Sequence, residues 1–212
     1  MFVNFKKIIQ AIIPNNFYWK FYKFFFIKEQ NILFKKSLND YQKLFDNYIL
    51  NQNFKSVFHI GCNTGSYLNY LSKLMIDTDF YANDINPNLF QYKNNKNIHF
   101  MGGDILKKKF EKYDLIIIHT VLIYFNKKKL KKLLRNIYRS RTKNIIIFDY
   151  FFTKYFYDFD TNLYIHCYNE LDIFVKNQVY DLSDLKFDLK ILNEYQKKFI
   201  KLYLIKKKNI IV

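Results

Sequence analysis

The chain has 212 residues, half of them apolar and a fifth aromatic, which is enough to bury a core and excludes disorder. Two cysteines, Cys62 and Cys167, exclude a disulfide framework and make a reducing cytoplasm the expected compartment. The formal charge of +17 points to nucleic acid or an anionic membrane surface. Lys, Asn, Ile, Phe and Tyr are abundant together while glycine and proline are scarce, however, which reads as drift of the whole coding sequence and lowers the weight of the charge.

Residues 1–50 read as a helical extension. "NFKKIIQAII" is amphipathic, Pro14 breaks it, and "NFYWKFYKFFFIKEQ" sets bulky aromatics between lysines. The longest uncharged run, "IIQAIIPNNFYW", is too short and interrupted to span a bilayer, and it lacks a signal-peptide cleavage site. The expected role is a lid packed on the main domain. The alternative is peripheral membrane contact through residues 1–35.

From residue 51 to 212 one α/β domain is expected. "SVFHI" (56–60), "DFYAND" (79–84), "NIHFMG" (97–102), "YDLIIIH" (113–119) and "NIIIFDYF" (144–151) read as strands. Between them, "SYLNYLSKLM" (66–75) predicts a helix with Leu68, Leu71 and Leu74 on one side, and a short helix is expected after Pro87. In "KKKLKKLLRNIYR" (127–139), Leu130, Leu133, Leu134 and Ile137 share a face at helical spacing. Alternating strands and helices imply a doubly wound, mostly parallel sheet with helices on both faces. "LKFDLKILNEY" and "KKFIKLYLIKKK" read as a closing antiparallel strand pair.

In such a sheet ligands bind beyond the carboxyl ends of the strands. All four glycines, Gly61, Gly65, Gly102 and Gly103, fall in that neighbourhood. Gly61-Cys-Asn-Thr-Gly65 is a tight turn after the first strand whose glycines let a ligand sit against the backbone. Asp84 ends the second strand, where a carboxylate accepts both hydroxyls of a ribose. Gly102-Gly103-Asp104 follows the third strand, and His119-Thr120 the fourth. A glycine turn with a strand-end acid suits a nucleoside-bearing cofactor. The turn is not the G-x-G-x-x-G of dinucleotide binders, because Asn63 stands at the middle position, and it lacks the Gly-Lys-Ser/Thr of a phosphate-binding P-loop.

At these residues the sequence resembles the class I S-adenosylmethionine-dependent methyltransferases. "VFHIGCNTGSYLNYL" looks like their first motif and "FYANDINPNLF" their second. "NIHFMGGDIL", "FEKYDLIIIHTVLIYF" and "LLRNIYRSRTKNIIIFDYF" resemble the third, the fourth and the helix and strand beyond. The resemblance implies a Rossmann-like fold and S-adenosylmethionine as cofactor. By position it assigns His59, Gly61, Asn63 and Gly65 to the turn under the cofactor and Asp84, with Ile85, to the ribose. Asp104 and Ile105 would meet the adenine, and His119 and Thr120 the methionine end. Two departures stand out: His59 replaces the usual acid, which removes a partner for the cofactor's ammonium group, and Asn63 replaces the middle glycine.

Methyl transfer from a sulfonium asks the protein chiefly to align a nucleophile, with a general base for an oxygen or nitrogen acceptor. Candidates for that base are His119, Tyr124 and Asp149, with Tyr150 beside it. "HTVL" lacks the Asp/Asn-Pro-Pro-aromatic usual in amino-directed base methylases, so a small-molecule acceptor is expected, a sugar or secondary metabolite, methylated at O or N. The alternatives are an RNA methyltransferase using residues 107–143, which carry thirteen Lys or Arg against two acids, an inactive cofactor-binding paralogue, and, last, a nicotinamide-binding oxidoreductase. Structural readings compete residue by residue: Asp84 as a helix cap, Asp104 as the end of a turn, His59 as a core histidine, Cys62 as a buried filler. His166 and Cys167 lack companions for a metal site.

Overall fold

The computed structural model describes residues 46 and 48–149 with their side chains. It describes the backbone alone for 150–152 and for the strand segments 156–158, 163–167, 179–180 and 200–206. The expected helical extension therefore lies outside the described residues, apart from a helical end at 48–50 whose Ile49 is fully buried in the core.

Five strands form the parallel centre: β1 (Ser56–Ile60), β2 (Asp79–Asp84), β3 (Ile98–Gly102), β4 (Leu115–His119) and β5 (Asn144–Phe152). Their order in space is β3-β2-β1-β4-β5. The chain winds outward one way from β1 and then returns to start β4 on its other side, so the switch lies between β1 and β4. Strand β6 (Phe156–Asp158) pairs with β7 (Leu163–Cys167), whose end runs parallel to the end of β5. Strand β9 (Ile200–Lys206) runs antiparallel along β5 from Asn144 to Tyr150 and also pairs with β8 (Val179–Tyr180). Of the expected closing pair, the second strand is β9, and residues 185–195 lie outside the described residues.

Strand β4 shows why the apolar runs are strands buried on both faces. Leu115 and Ile117 join a cluster on one side with Val57, Phe80, Ala82 and Phe148, while Ile116 and Ile118 join Phe58, Ile60, Ile145 and Ile147 on the other. Helix α1 (Ser66–Leu74) covers the first cluster with Leu68 and Leu71, both fully buried. Leu74, expected beside them, is instead 52% exposed because the helix ends there and its face has turned past the sheet. Helix α2 (Lys127–Arg139) covers the second cluster with Leu130, Leu133, Leu134 and Ile137. Each of these side chains contributes about 1.5–3 kcal/mol of burial, which offsets the poor electrostatics of a helix carrying seven cations and no acid.

The helix expected after Pro87 does not form. The Asn86 side chain accepts from the Asn88 N–H at 3.1 Å, a local turn that competes with helix. Leu89 N–H closes that turn on Asn86 O, and Gln91 N–H is then drawn to Thr64 O at 3.1 Å. Phe90 stacks on Phe100 with ring centroids 4.3 Å apart and holds the chain there.

Candidate functional site

Because the five central strands are parallel, their carboxyl ends bring the Gly61–Gly65 turn, Asp84, Gly102–Asp104 and His119–Thr120 to one edge of the sheet. The turn is fastened to β2 by successive hydrogen bonds. Gly61 and Cys62 N–H both donate to Asn83 O, at 2.8 and 2.9 Å, and Asn63 N–H donates to Asp84 Oδ2 at 2.9 Å. Asp84 Oδ1 accepts the Asn86 N–H, also at 2.9 Å. Asp84 thus caps the turn from the carboxyl end of β2. Burial raises its carboxyl above the usual range, against the two N–H groups, which favour the ionised form.

Gly61 and Gly65 have φ of 72° and 79°, and Asn63 has 52°, so the turn is left-handed at all three positions. Asn is the side chain that best tolerates this region, which explains how it replaces a glycine. The glycines also answer a packing demand. A Cβ on Gly61 would run into Val121, and one on Gly65 into the ring of Phe90. In the direction a Cβ would take, side chains from the loops after β4 and β2 occupy the space at both glycines. Gly103, at φ 103°, is different: nothing lies within 4 Å of where its Cβ would be.

Beyond β3, Asp104 caps the short 3₁₀ turn Ile105–Lys107 through Oδ1, which accepts the Leu106 N–H at 2.9 Å. Ile105 is buried beneath it, and Ile85, just past Asp84, is half-buried. The Asn83 carboxamide donates to Met101 O at 2.6 Å and Gly103 O at 3.0 Å, so it sets the spacing of Asp84 and Asp104. Its signal in the sequence was a strand ending in two polar residues, Asn83-Asp84, of which only the acid invited attention.

The loop after β4 is held as firmly. Thr120 has φ 49°, a strained value for a β-branched residue, and donates its N–H to Phe148 O at 2.8 Å. Val121 and Leu122 N–H both donate to Asp149 Oδ2, at 2.9 and 2.7 Å. Asp149 is fully buried. Tyr124 is half-buried at the end of the 3₁₀ turn Leu122–Tyr124, which lies against β7. The side chain of Tyr150 lies outside the described residues.

His59 and His119 project from neighbouring strands toward the α1 side. His59 is 4% exposed, packs edge-on against Tyr67, and neither ring nitrogen has a hydrogen-bond partner among the described residues. Burial, reinforced by His119, pushes its pKa down to about 3. Burial likewise lowers His119 to about 4, with its ring edge-on to Phe148. Both imidazoles are neutral near pH 7. Cys62 is buried, and burial with the nearby Asp84 raises its thiol well above the ordinary value, so it is an inert filler rather than a nucleophile. Among the described residues no helix is long and apolar enough to cross a membrane.

Residues 58–144 match the family model described as a methyltransferase domain. The match runs from β1 to the first residue of β5 and supports the class I S-adenosylmethionine-dependent methyltransferase family. Solved structures share the fold at low sequence identity. The O-methyltransferase from the trans-AT PKS multienzyme of Brevibacillus brevis, in complex with S-adenosyl-L-homocysteine, aligns with TM-score 0.61 and 16% identity over 85% of this chain and 77% of that one. Human N-acetylserotonin methyltransferase, in complex with SAM, aligns with TM-score 0.56 and 16% identity over 82% of this chain, which spans only 52% of its length. The magnesium protoporphyrin IX methyltransferase from Synechocystis, with bound SAM, gives TM-score 0.54 and 16% identity over 85% and 83%. No curated protein matches the sequence.

Proposed function

We propose that this methyltransferase domain binds S-adenosylmethionine along the edge formed by β1, β2 and β3 and methylates an oxygen or nitrogen of a small-molecule acceptor beside β4. The observation that carries the reading is the Asp84 carboxylate. It stands at the end of β2, bound to the turn through Asn63 N–H, with lone pairs left on both oxygens for a vicinal diol. The residues present fit the cofactor elsewhere too. Asp104 keeps Oδ2 without a protein donor among the described residues, Gly103 leaves open space, and no side chain caps the first turn of α1. Of the residues in this edge, Asp84 would hold the ribose, Asp104 with Ile105 the adenine, and the Gly61–Gly65 turn with His119 and Thr120 the methionine end.

Bound there, the cofactor supplies an activated methyl group, and the chain's own task is to aim an acceptor at it and exclude water. His119 at the end of β4 is neutral at pH 7 and able to take a proton, and the half-buried Tyr124 lies just beyond it in the chain. Asp149 acts through Val121 and Leu122, holding the loop that carries Thr120 in its strained shape, and is a positioning residue rather than the base. The structural relatives include small-molecule O-methyltransferases, which favours that acceptor class.

A thermal-shift series tests the proposal. S-adenosylhomocysteine at about a hundred times its dissociation constant stabilises the fold by roughly 2.7 kcal/mol, and NAD has no effect. Equal shifts with both ligands, or none with either, remove the reading.

A further inference from the structure

The positive charge of this chain is concentrated rather than dispersed. Residues 107–143 hold thirteen Lys or Arg against Glu111 and Asp114, and so account for eleven of the net +17 in 37 of 212 residues. Uniform coding drift does not produce that distribution. The fold then gathers the charge onto one side of the sheet. Phe110 and Leu106, from the connection after β3, pack into the same apolar cluster as Leu130, Leu133 and Ile137 of α2, so the lysines of both segments face solvent together. Asp114 is turned away, with Oδ2 accepting the N–H groups of Lys55 and Ser56.

Helix α2 pays for this arrangement in local electrostatics. Lys127, Lys128 and Lys129 occupy its first turn, where the helix dipole favours anions. Lys128, Lys132, Arg135 and Arg139 descend one exposed stripe at intervals of four, three and four residues, so like charges meet at the spacings that destabilise a helix. A ligand carrying regularly spaced negative charge relieves both defects. The helix, about 20 Å long, matches a run of several backbone phosphates.

We infer that this face binds a single-stranded nucleic acid, its phosphates along the Lys128–Arg139 stripe and a base stacked on Tyr138. Tyr138 is 49% exposed and follows Arg135 by three residues, the spacing of neighbours on a helix surface, which sets a ring beside a planar cation. A bilayer calls for aliphatic side chains to insert, and the other large exposed apolar residues among those described, Leu50, Leu74 and Ile76, belong to other segments. The helix starts at Lys127, capped by Asn126, soon after β4 ends at His119, so the Lys128 end of the stripe lies toward the carboxyl ends of the strands. This inference stands apart from the cofactor reading, because the face needs no cofactor to bind.

The test is fluorescence anisotropy of a labelled, mixed-sequence single-stranded RNA of about 15 nucleotides with the full chain, without cofactor, across a salt series. Affinity falls with rising salt by about 0.7 log unit per log unit of salt for each phosphate contacted. The variant K128E/K132E/R135E/R139E loses at least tenfold in affinity and has a shallower salt slope. Tyr138→Ala loses about tenfold at unchanged slope. The control K73E/K93E/K96E, reversing lysines on the α1 side, binds as the parent does. Circular dichroism confirms that the variants fold, and Arg135→Gln alone replaces the fourfold variant if it does not. No binding at low salt, equal losses in control and fourfold variant, or displacement of the RNA by anionic phosphatidylserine vesicles overturns the inference.

Discussion

Asn63 donates its backbone N–H to Asp84 Oδ2 at 2.9 Å, joining the left-handed centre of the glycine turn to the end of β2 across 21 positions of sequence. The bond makes a single carboxylate answer two questions. Asp84 is a structural acceptor for the turn and for Asn86, and on the function proposed above it would also hold the cofactor's ribose. The capping and binding readings of that residue are therefore not rivals. The strand-end acid shapes the turn against which its own ligand would rest.

This double duty sets the outcome of Asp84→Ala. Two N–H groups lose their acceptor, so the protein without ligand is destabilised by about 2–4 kcal/mol, more than a simple cap would give. Affinity for S-adenosylhomocysteine, measured by calorimetry at a temperature where the variant stays folded, falls by a further 1.5–3 kcal/mol or so. Asp84→Asn keeps one acceptor oxygen and recovers much of the stability while remaining weak for the cofactor. If both variants bind S-adenosylhomocysteine as the parent does, Asp84 only shapes the turn.

Gly61 and Val121 give a test of why the turn contains glycine. Gly61→Ala carries a strain of about 1–2 kcal/mol for an L-residue at positive φ, plus the cost of displacing Val121. Adding Val121→Ala opens the space, so the double variant is less destabilised than the two single effects added together, with a coupling of about 1 kcal/mol or more in urea denaturation. Strict additivity would mean that the valine does not fill that position.

For Asp149 the outcome separates an anchor from a base. Asp149→Ala leaves Val121 and Leu122 N–H buried without their acceptor and costs about 2–5 kcal/mol. Asp149→Asn keeps an oxygen in place and retains most of the stability. Because the carboxylate serves as an anchor, the Asp149→Asn variant supports substantial turnover with an unchanged pH profile. Loss of turnover in a stable Asp149→Asn variant that still binds cofactor would return Asp149 to the role of general base.

Much of the fold is legible in the sequence. The five apolar runs and the α2 pattern carried the sheet, because two-sided burial and a leucine face leave periodic marks that local chemistry does not blur. Where an element failed, a side chain competed with the backbone, as Asn86 did after Pro87. Positive φ at the glycines is foreseeable from residue type, but the partners that fill their space, Val121 and Phe90, come from distant loops and leave no spacing signal. Asn83 and the anchoring work of Asp149 were hidden likewise, since hydrogen bonds to backbone N–H and C=O groups of other strands depend on register, not on sequence neighbours.

The pair His59 and His119 predicts an acid-sensitive fold. His59 takes up a proton at about pH 6.5 when unfolded but only near 3 when folded, because burial and the neighbouring His119 disfavour the cation. The unfolded chain therefore binds more protons throughout that window, so stability is present above 6.5, is lost as the pH falls, and is fully lost below about 3. At about pH 5 the loss from His59 is roughly 2 kcal/mol, and His119, lowered to about 4 by burial, adds an amount of the same order. Asp84 acts in the opposite sense, because its raised carboxyl favours the folded state only as it becomes protonated at lower pH. His59→Leu removes two unpartnered ring nitrogens and one proton site. At pH 7 it is neutral or stabilising, and between about pH 7 and 5 its denaturation midpoint falls less steeply than that of the parent. Equal steepness in the two proteins would mean that the acid sensitivity comes from elsewhere in the chain.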